Sequence, residues 1–507
     1  MEWMYKYQNY FDKPMFICEY AHAMGNAIGN LSEYWECIEN SSTMIGAAIW
    51  DWVDQSIYEP KEIKSGTHIG RLRTGYDFPG PHQGNFCCNG ILTALREPTP
   101  KLAQVKAVYQ YIKFYLDTID YNKNTIGICI ENNYDFISTK NMNWGWRLLK
   151  NGEEISNFFD TMPIIESENK KHITISLPDK INLKELQNNG EETFLNIVVQ
   201  LNKATHSCKK GHTIAEKQIN LTKSRNLDPV SIDNTDTLTL TKYNDKIKVK
   251  NKYIHTEFDT TTGVMTTLRI NGMDIIYGNR GFEYSNYRWI ENDANIEISS
   301  GIDSIGKCNA FMMNNGCVVV KTTRGGKLCT TNINYTIYPN GIVDIDATFF
   351  PQTPNLRRVG LECAINAGLK YIQYYAYGPW ENHSDRLDGC AVEVFNTTAH
   401  KMVVPYCKPQ STGNREGLRK VLFRNIHAKG IKIETEGNVS FSALPYTDND
   451  LQKAKHQWEL QEQPFITLHL DAYQRGVGNA SCGPHTIEKY HIKQQPYKYK
   501  FRISYVE

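Results

Sequence analysis

The residue in this sequence that is best placed to do chemistry is Glu19, which ends a short apolar run. Residues 15–18 are Met, Phe, Ile and Cys and show no polar alternation. This pattern predicts a strand that is buried on both faces, as in parallel sheets covered by helices. Because the carboxyl ends of such strands carry the active site in α/β barrels, we expect Glu19 to face a cavity. The alternative for a single acid is a salt bridge at a strand end.

Polar and flexible residues follow Glu19 closely. They are Tyr20, His22, Gly25 and Asn26. A strand end with a purely structural role does not need such a cluster, so the pattern favours a catalytic carboxylate. An attacking carboxylate must stay ionised, which requires hydrogen-bond donors around it and a second acid that holds the proton.

The elements around Glu19 follow a strand, helix, strand order. Residues 3–10 are compatible with the end of a helix that leads into the first strand. Residues 31–38 carry apolar side chains at helical spacing, and residues 44–50 form a second apolar run. This order is typical of an α/β barrel or a doubly wound sheet. A barrel needs eight strands and only two are visible, so we expect the earlier strands to lie upstream of Met1.

The run Cys-Glu-Tyr-Ala-His-Ala-Met-Gly-Asn at residues 18–26 resembles the nucleophile motif of the large β-galactosidases of glycoside hydrolase family 2. The resemblance implies that Glu19 forms the covalent glycosyl intermediate and that His22 binds substrate beside it. The cluster Trp-Asp-Trp-Val-Asp-Gln, which begins at Trp50, also resembles this family. It implies that the Trp50 ring is the platform for the apolar face of galactose. The alternative is a core tryptophan at a strand end.

A loop rich in Gly and Pro extends the resemblance. The family's pattern implies that Phe86 offers its backbone carbonyl and Asn89 its side chain to a sodium ion that touches the sugar, and that Asn89 also binds substrate. Oxygen ligands of this kind suit a hard cation. At residues 81–83 the sequence reads Pro-His-Gln, where the family is expected to have Pro-Asn-Asp. The family also implies Mg²⁺, with most of its ligands expected upstream of this chain.

The fold class expected for the chain is multidomain, combining α/β and all-β parts. Residues 1–111 are expected to be the C-terminal part of a TIM (β/α)8 barrel, closed by a helix that begins at Pro100. Short alternating runs predict an immunoglobulin-like β-sandwich over residues 112–225 and a large β-sandwich over residues 238–507. Within the last region, residues 377–386 carry the most specific resemblance, although turn chemistry also accounts for them. Residues 476–484 place Cys482 where some family members have a tryptophan at the active-site mouth.

Composition limits the classes of partner. A formal net charge of +1 argues against nucleic acid, because phosphate binding requires a basic surface. No run approaches the ~18 apolar residues of a membrane-spanning helix. The start of the chain lacks the features of a signal peptide, and the sequence leaves the compartment open. Thirteen cysteines without a Cys-x-x-Cys pair argue against a disulfide framework or a zinc site.

Three functional hypotheses follow. The first is retaining hydrolysis of terminal β-D-galactosides such as lactose, by an enzyme of which this chain is the carboxyl-terminal part. The missing amino-terminal portion would then supply the acid/base, the chain would be inactive alone, and the complete enzyme is expected to be a homo-oligomer. The second is a carbohydrate-binding or assembly module in which Glu19 is idle. The third is a remnant of a truncated gene without function.

Overall fold

The computed structural model describes residues 4, 6, 12–58, 71–222, 226–232, 236–293 and 306–507. The helix end expected over residues 3–10 therefore lies mostly outside the described residues. The described residues belong to two compact units. The first comprises residues 1–104, 227–390 and 395–507, and the second comprises residues 105–226 and 391–394. The division into three domains predicted from the sequence stays a prediction.

In the amino-terminal part of the chain, the described residues form two pairs of strands and two helices with complete bounds. Its elements are β1 (Met15–Tyr20), α1 (Leu31–Glu39), β2 (Met44–Ile49), β3 (Ile57–Tyr58), β4 (Leu72–Arg73) and α2 (Pro100–Val108). β1 and β2 pair in parallel, and β3 and β4 pair antiparallel. The predicted strand, helix, strand order is thus confirmed, whereas the assignment of these elements to a barrel stays a prediction.

The expectation that β1 is buried on both faces is wrong for the residues described. Phe16 is 55% exposed, and Cys18 and Glu19 are also exposed. The physical reason is that β1 pairs with β2 alone in the described part of the chain. A strand is buried on both faces only where other elements cover each face of its sheet.

The two helices form where the sequence predicts them. In α1 the side chains of Leu31, Tyr34, Cys37 and Ile38 are buried, and their spacing of three and four residues puts them on one face. In α2, Pro100 occupies the first turn, where its missing N–H removes no intrahelical hydrogen bond.

The second unit is formed by two antiparallel sheets with a common apolar core. Its elements are β5 (Ile112–Asp120), β6 (Thr125–Asn132), β7 (Met142–Lys150), β8 (Glu153–Thr161), β9 (Asn169–Ser176), α3 (Leu183–Asn188), β10 (Thr193–Leu201) and β11 (Thr213–Asn220). The sheet orders are β11-β10-β7-β8 and β5-β6-β9. The predicted turn at Asn151 and Gly152 joins β7 to β8, with both residues at positive φ, as a tight hairpin requires. Side chains from both sheets share one core, which includes Ile128, Trp146 and Ile197.

In the carboxyl-terminal part of the chain, strands greatly outnumber helices. Its elements are β12 (Thr239–Lys242), β13 (Lys246–Lys250), β14 (Ile254–Asp259), β15 (Met265–Ile270), β16 (Met273–Asp274), β17 (Glu283–Ser285), β18 (Gly306–Met312), β19 (Val318–Arg324), β20 (Cys329–Ile337), β21 (Val343–Pro351), β22 (Arg358–Asn366), β23 (Tyr371–Gly378), β24 (Ala391–Thr398), α4 (Ala399–Met402), β25 (Lys420–Arg424), β26 (Gly430–Glu436), β27 (Ser440–Leu444), α5 (Asp448–Lys453), β28 (Phe465–Gln474) and β29 (Tyr497–Val506).

These strands form three sheets. Their orders are β12-β13-β14-β15-β16, β17-β22-β28-β27 and β18-β19-β20-β21-β29-β26-β25-β23-β24. Apolar side chains from all three sheets, among them Val249, Leu361 and Val320, form one buried core. None of the described helices is long and apolar enough to cross a bilayer.

A disulfide joins Cys88 to Cys407, which lie 319 positions apart in the sequence. The expectation against a disulfide framework rested on the absence of closely spaced cysteine pairs, and it did not predict this pairing. Local spacing carries no information about two cysteines that only the fold brings together.

A buried ion pair lies in the segment after β23. The side chains of Glu381 and Arg386 are 0% and 1% exposed, and Arg386 Nη2 lies 2.5 Å from Glu381 Oε1. The Glu381 carboxylate also accepts hydrogen bonds from the Tyr406 hydroxyl at 2.8 Å, the Thr412 hydroxyl at 2.6 Å and the Gly413 amide at 2.8 Å. Burial alone would raise the pKa of Glu381, but His383 and Arg386 more than offset that effect and hold the pKa well below its ordinary value.

We expect Glu381→Gln to lower the free energy of unfolding by roughly 3–5 kcal/mol, because it leaves the Arg386 guanidinium buried without its counter-charge. Urea denaturation of both proteins measures the difference. Glu434→Gln is the matched control, because its partner Lys432 is partly exposed, and it should change stability by no more than about 0.5 kcal/mol. Equal losses for the two variants would contradict the assignment.

The same ion pair predicts an acid dependence of stability. The pKa of Glu381 in the folded protein lies well below the ordinary value of 4.5. Its stabilising contribution is therefore complete above that value and is lost as the pH falls further towards the folded pKa. Unfolding free energies measured from neutral to acid pH should fall more steeply in the parent than in Glu381→Gln. Parallel curves would show that Glu381 does not carry this dependence.

Candidate functional site

The carboxyl ends of β1 and β2 lie side by side at one edge of their parallel sheet. In the register Tyr20 faces Ile49, so Glu19 and Trp50 end adjacent strands. The Trp50 amide donates to the Tyr20 carbonyl at 3.2 Å, and the Ala23 amide donates to the Trp50 carbonyl at 2.7 Å. Two motifs separated by a helix in the sequence are thus joined by backbone hydrogen bonds.

A cavity of about 280 Å³ lies at this edge and brings together three of the residues predicted from the sequence. Glu19, His22 and Trp50 all line it, together with Tyr34 and residues 482–484. Trp50 is 39% exposed, so part of its ring is accessible, unlike a tryptophan in a closed core. Glu19 is the only carboxylate among the described residues that line this cavity.

His22 lies beside Glu19 with its ring mostly buried. It is 7% exposed, and its Nδ1 atom has no hydrogen-bond partner among the described residues. Burial lowers the pKa of His22, an effect that the nearby Glu19 carboxylate partly offsets. A neutral imidazole can donate from one ring nitrogen and accept at the other, which suits recognition of a sugar hydroxyl.

Buried cations hold the loop that follows Glu19. Lys101 Nζ donates to the Ala23 carbonyl at 2.8 Å, and burial lowers the pKa of Lys101 to about 8. Arg386 Nη1 donates to the Asn26 carbonyl at 2.6 Å, and Asn26 Nδ2 donates to the Glu381 carboxylate at 3.3 Å. The conformation of the loop therefore depends on side chains from distant parts of the chain.

Sequence reasoning did not identify this role for Glu381 and Arg386. The segment that contains them resembles the family, but turn chemistry also accounts for most of it. The signal that could have found them is the density of ionisable residues at 381–386, where Glu, His, Asp and Arg follow Gly378-Pro379 closely. So many charges after a strand are unusual in a solvent-exposed turn of a sandwich.

Phe86 and Asn89 lie next to the cavity and are not among its lining residues. The Phe86 ring lies 5.5 Å from the His22 ring, centroid to centroid. Asn89 Nδ2 donates to the Phe86 carbonyl at 3.0 Å. Asn89 is buried, and its Oδ1 has no hydrogen-bond partner among the described residues. Asn89 therefore offers one unsatisfied oxygen next to the Phe86 residue, and amide and carbonyl oxygens are the ligand type that suits a hard cation.

The carboxyl-terminal segment expected at the active-site mouth does line the same cavity. Cys482 is exposed there, at the position where a tryptophan was expected in some family members. The Gly29 amide donates to the Gly478 carbonyl at 3.1 Å, and Asn479 Nδ2 donates to the Gly29 carbonyl at 3.0 Å. These contacts fix the segment against the loop between β1 and α1.

Two groups of side chains in the described residues are close enough to share a metal ion. One comprises Asp117, Cys129 and His172, and the other comprises Glu362, Asp448 and His469. Neither contains a residue that was predicted to bind sodium or substrate. In the second group an arginine already provides positive charge, since Arg358 Nη1 lies 3.2 Å from Asp448 and 2.7 Å from His469 Nδ1.

Three family profiles match successive parts of the chain. The profile described as Glycosyl hydrolases family 2, TIM barrel domain, matches residues 1–114. Beta-galactosidase, domain 4, matches residues 128–222, and Beta galactosidase small chain matches residues 250–503.

Curated β-galactosidases match nearly the whole chain. That of Priestia megaterium is 28% identical over 92% of this chain and 45% of its own length. The β-galactosidase of Actinobacillus pleuropneumoniae is 26% identical over 97% of this chain and 48% of its own length. The β-galactosidase of Streptococcus thermophilus is 27% identical over 92% of this chain and 44% of its own length. The chain therefore spans about half the length of the curated relatives it matches. With the small-chain profile alone covering half of the sequence, this chain belongs to the β-galactosidases of glycosyl hydrolase family 2, and it corresponds to their carboxyl-terminal portion.

Proposed function

We propose that this chain carries the nucleophile side of a retaining β-galactosidase active site. The observation that carries the proposal is the meeting of Glu19, His22 and Trp50 around one cavity at the carboxyl edge of β1 and β2. Each of these three groups suits one task. A carboxylate can attack an anomeric carbon, an imidazole can recognise a hydroxyl group, and an accessible indole can stack on a sugar ring. Family membership supports galactosides, including lactose, as the substrate class.

In this mechanism the Glu19 carboxylate attacks the anomeric carbon, the glycosidic C–O bond breaks, and a covalent galactosyl ester forms as the leaving oxygen departs with a proton from the acid/base. Water then hydrolyses the ester with net retention of configuration. The Trp50 ring receives the C–H face of the galactose, which orients the anomeric carbon towards Glu19. His22, kept neutral by burial, exchanges hydrogen bonds with a sugar hydroxyl.

A retaining enzyme also needs a second carboxyl group about 5 Å from the nucleophile, to protonate the leaving oxygen and then activate water. Glu19 is the only carboxylate among the described lining residues. We propose that the acid/base comes from the portion of the family that this chain does not match, and that the active assembly is larger than this chain. Mg²⁺ would be held mainly by that portion.

Phe86 and Asn89 would hold sodium through the backbone carbonyl and the side-chain oxygen. When bound, the ion supplies a fixed positive charge for a sugar hydroxyl oxygen. This chain's own contribution is to keep Phe86 and Asn89 together beside His22, through the 3.0 Å hydrogen bond from Asn89 Nδ2 to the Phe86 carbonyl and the 5.5 Å contact between the Phe86 and His22 rings. Asn89 Oδ1 is also available as a direct partner for a substrate hydroxyl.

Glu19→Gln should lower kcat by about three orders of magnitude or more in an assembly that contains the acid/base, because the amide cannot attack the anomeric carbon. The assay is hydrolysis of a nitrophenyl galactoside, with Glu36→Gln on the exposed face of α1 as the matched control. Retention of more than about a tenth of kcat would contradict the assignment, since a tenfold loss corresponds to only ~1.4 kcal/mol of transition-state stabilisation.

Asn89→Ala should raise KM for galactosides and flatten the response to added sodium, because it removes one of the two oxygens. Sodium titrations of the parent, Asn89→Ala and Asn202→Ala, a control in the other unit, measure this effect. If neither KM nor kcat of the parent responds to sodium, the metal role is withdrawn and Asn89 is left as a hydroxyl partner.

The chain by itself should not hydrolyse lactose, because the poor leaving group needs the proton that a second carboxyl supplies. The test is to assay the purified chain, and then to add the amino-terminal half of a family member as a separate polypeptide. Activity should arise only on mixing. Lactose turnover by the purified chain would show that its own residues include the acid/base.

A further inference from the structure

A second cavity, of about 790 Å³, lies in the carboxyl-terminal part of the first unit and shares no lining residue with the Glu19 cavity. Strands β17 and β22 form its floor through residues 283–285 and 362–364, and its walls come from Asn286, Tyr287 and Trp289 and from the segment around α5. The volume lies within the range that small-molecule sites occupy in proteins. The proposed function leaves this cavity without a role.

The sheet to which this floor belongs, β17-β22-β28-β27, is unusually polar for a buried sheet. One row across the four strands pairs Glu283 with Glu362, Glu362 with His469, and His469 with Ser442. Cross-strand partners share a face, so all four side chains lie on the same side of the sheet. His469 and Ser442 are only 3% and 2% exposed. Packing alone would favour apolar side chains on this face.

The adjacent row of residues on the same strands is apolar, in contrast to the polar row. Tyr284 pairs with Leu361, Leu361 with Leu470, and Leu470 with Phe441, and all four belong to the buried apolar core. The sheet therefore has one face that stabilises the fold and one that carries acids and a histidine. Glu283 and Glu362 lie directly opposite each other, an arrangement of like charges that destabilises a sheet. Such a cost is typical of a functional surface.

An ion-pair network fixes part of the floor. Asp448 lies 3.2 Å from Arg358 Nη1 and 3.3 Å from His469 Nε2. Burial alone would raise the pKa of Asp448, but Arg358 and His469 more than offset this effect and lower the pKa to about 2. The groups on the floor are thus held in place before a ligand binds, which reduces the entropy lost on binding.

The walls combine aromatic rings with amide side chains. Tyr287 and Trp289 supply the rings, and the amides are Asn286, Asn449, Gln452 and Gln463. The indole Nε1 of Trp289 is buried without a hydrogen-bond partner among the described residues. Aromatic faces stack on the C–H faces of pyranose rings, while amides and carboxylates donate to and accept from hydroxyl groups.

The charges around the cavity select a neutral ligand. Its lining contains Arg280 and Arg357 against Glu283, Glu362 and Asp448, so the formal charges nearly cancel with a slight negative excess. A phosphate or sulfate ester would meet three carboxylates there. Arg280 already lies 3.8 Å from Glu362. Arg357 already donates to the carbonyls of Arg288 and Asp293.

We propose that this cavity is a second, non-catalytic carbohydrate site that binds a neutral mono- or disaccharide. Its aromatic walls receive the pyranose ring, and the half-buried carboxylates of Glu283 and Glu362 on its floor accept hydrogen bonds from the sugar hydroxyls. The site does not depend on the proposed hydrolysis at Glu19, because the two cavities are lined by different residues.

Binding of D-galactose, D-glucose and lactose to the full chain tests the proposal, with saturation-transfer NMR and calorimetry as readouts. The chain carries Trp50→Ala in all samples, which removes the ring at the Glu19 cavity. At least one of the three sugars should bind with a millimolar or lower Kd. Glu283→Gln should weaken that binding about tenfold through loss of a charged acceptor. Glu434→Gln, on β26 of another sheet, should leave the Kd unchanged.

Trp289→Ala provides a second variant and should also weaken binding, with circular dichroism confirming that it is folded. The proposal is overturned if none of the three sugars binds, or if Glu283→Gln and Glu434→Gln give the same Kd. Tighter binding of galactose 6-phosphate than of galactose would also overturn it. Since the readout is binding and not turnover, an inactive Glu19 site does not affect the result.

Discussion

The buried pair of Glu381 and Arg386 is the interaction on which the organisation of the first unit depends. Arg386 binds both the Glu381 carboxylate and the backbone carbonyl of Asn26, in the loop that follows the proposed nucleophile. Two charges removed from water stabilise a fold only if their remaining hydrogen-bonding capacity is filled. Here a tyrosine, a threonine and a backbone amide fill the capacity of the carboxylate. The loop is therefore held by groups that cannot move without exposing a charge to an apolar interior.

The two cavities of the first unit are built in different ways. The cavity at Glu19 is assembled from the ends of two strands and from a segment near the end of the chain. Its shape depends on contacts between parts of the sequence that are hundreds of residues apart, such as Gly29 with Gly478. The larger cavity rests on one sheet whose register places a polar row on a single face. The geometry of its floor is therefore fixed by hydrogen bonds between neighbouring strands, and segments beside the sheet supply its walls.

This difference bears on how each site can act. A site made from loops and strand ends can be completed by another polypeptide, because its open side is not closed by its own sheet. The exposure of Phe16 and Trp50 at β1 and β2 is in keeping with such an open side. A site on the face of one packed sheet is complete within its own unit. It can bind a ligand whether or not the first site is assembled, which would let the proposed catalysis and the proposed carbohydrate binding coexist in one chain.

The sequence by itself determined the local features: the helices α1 and α2, the hairpin at Asn151 and Gly152, and the motifs that single out Glu19, His22 and Trp50. These features depend on residue spacing, turn residues and short motifs. Such signals act over a few positions, so they can be recognised directly in the sequence. It also determined the family, because three motif-bearing regions follow one another colinearly. Only the tertiary structure decided the exposure of β1, the disulfide between Cys88 and Cys407, the hydrogen bond from Arg386 to the Asn26 carbonyl, and the polar row beneath the larger cavity. Each of these is a contact between residues tens to hundreds of positions apart, or, for β1, the absence of a covering element among the residues that the structure describes. The energy of such contacts depends on which segments fold against each other.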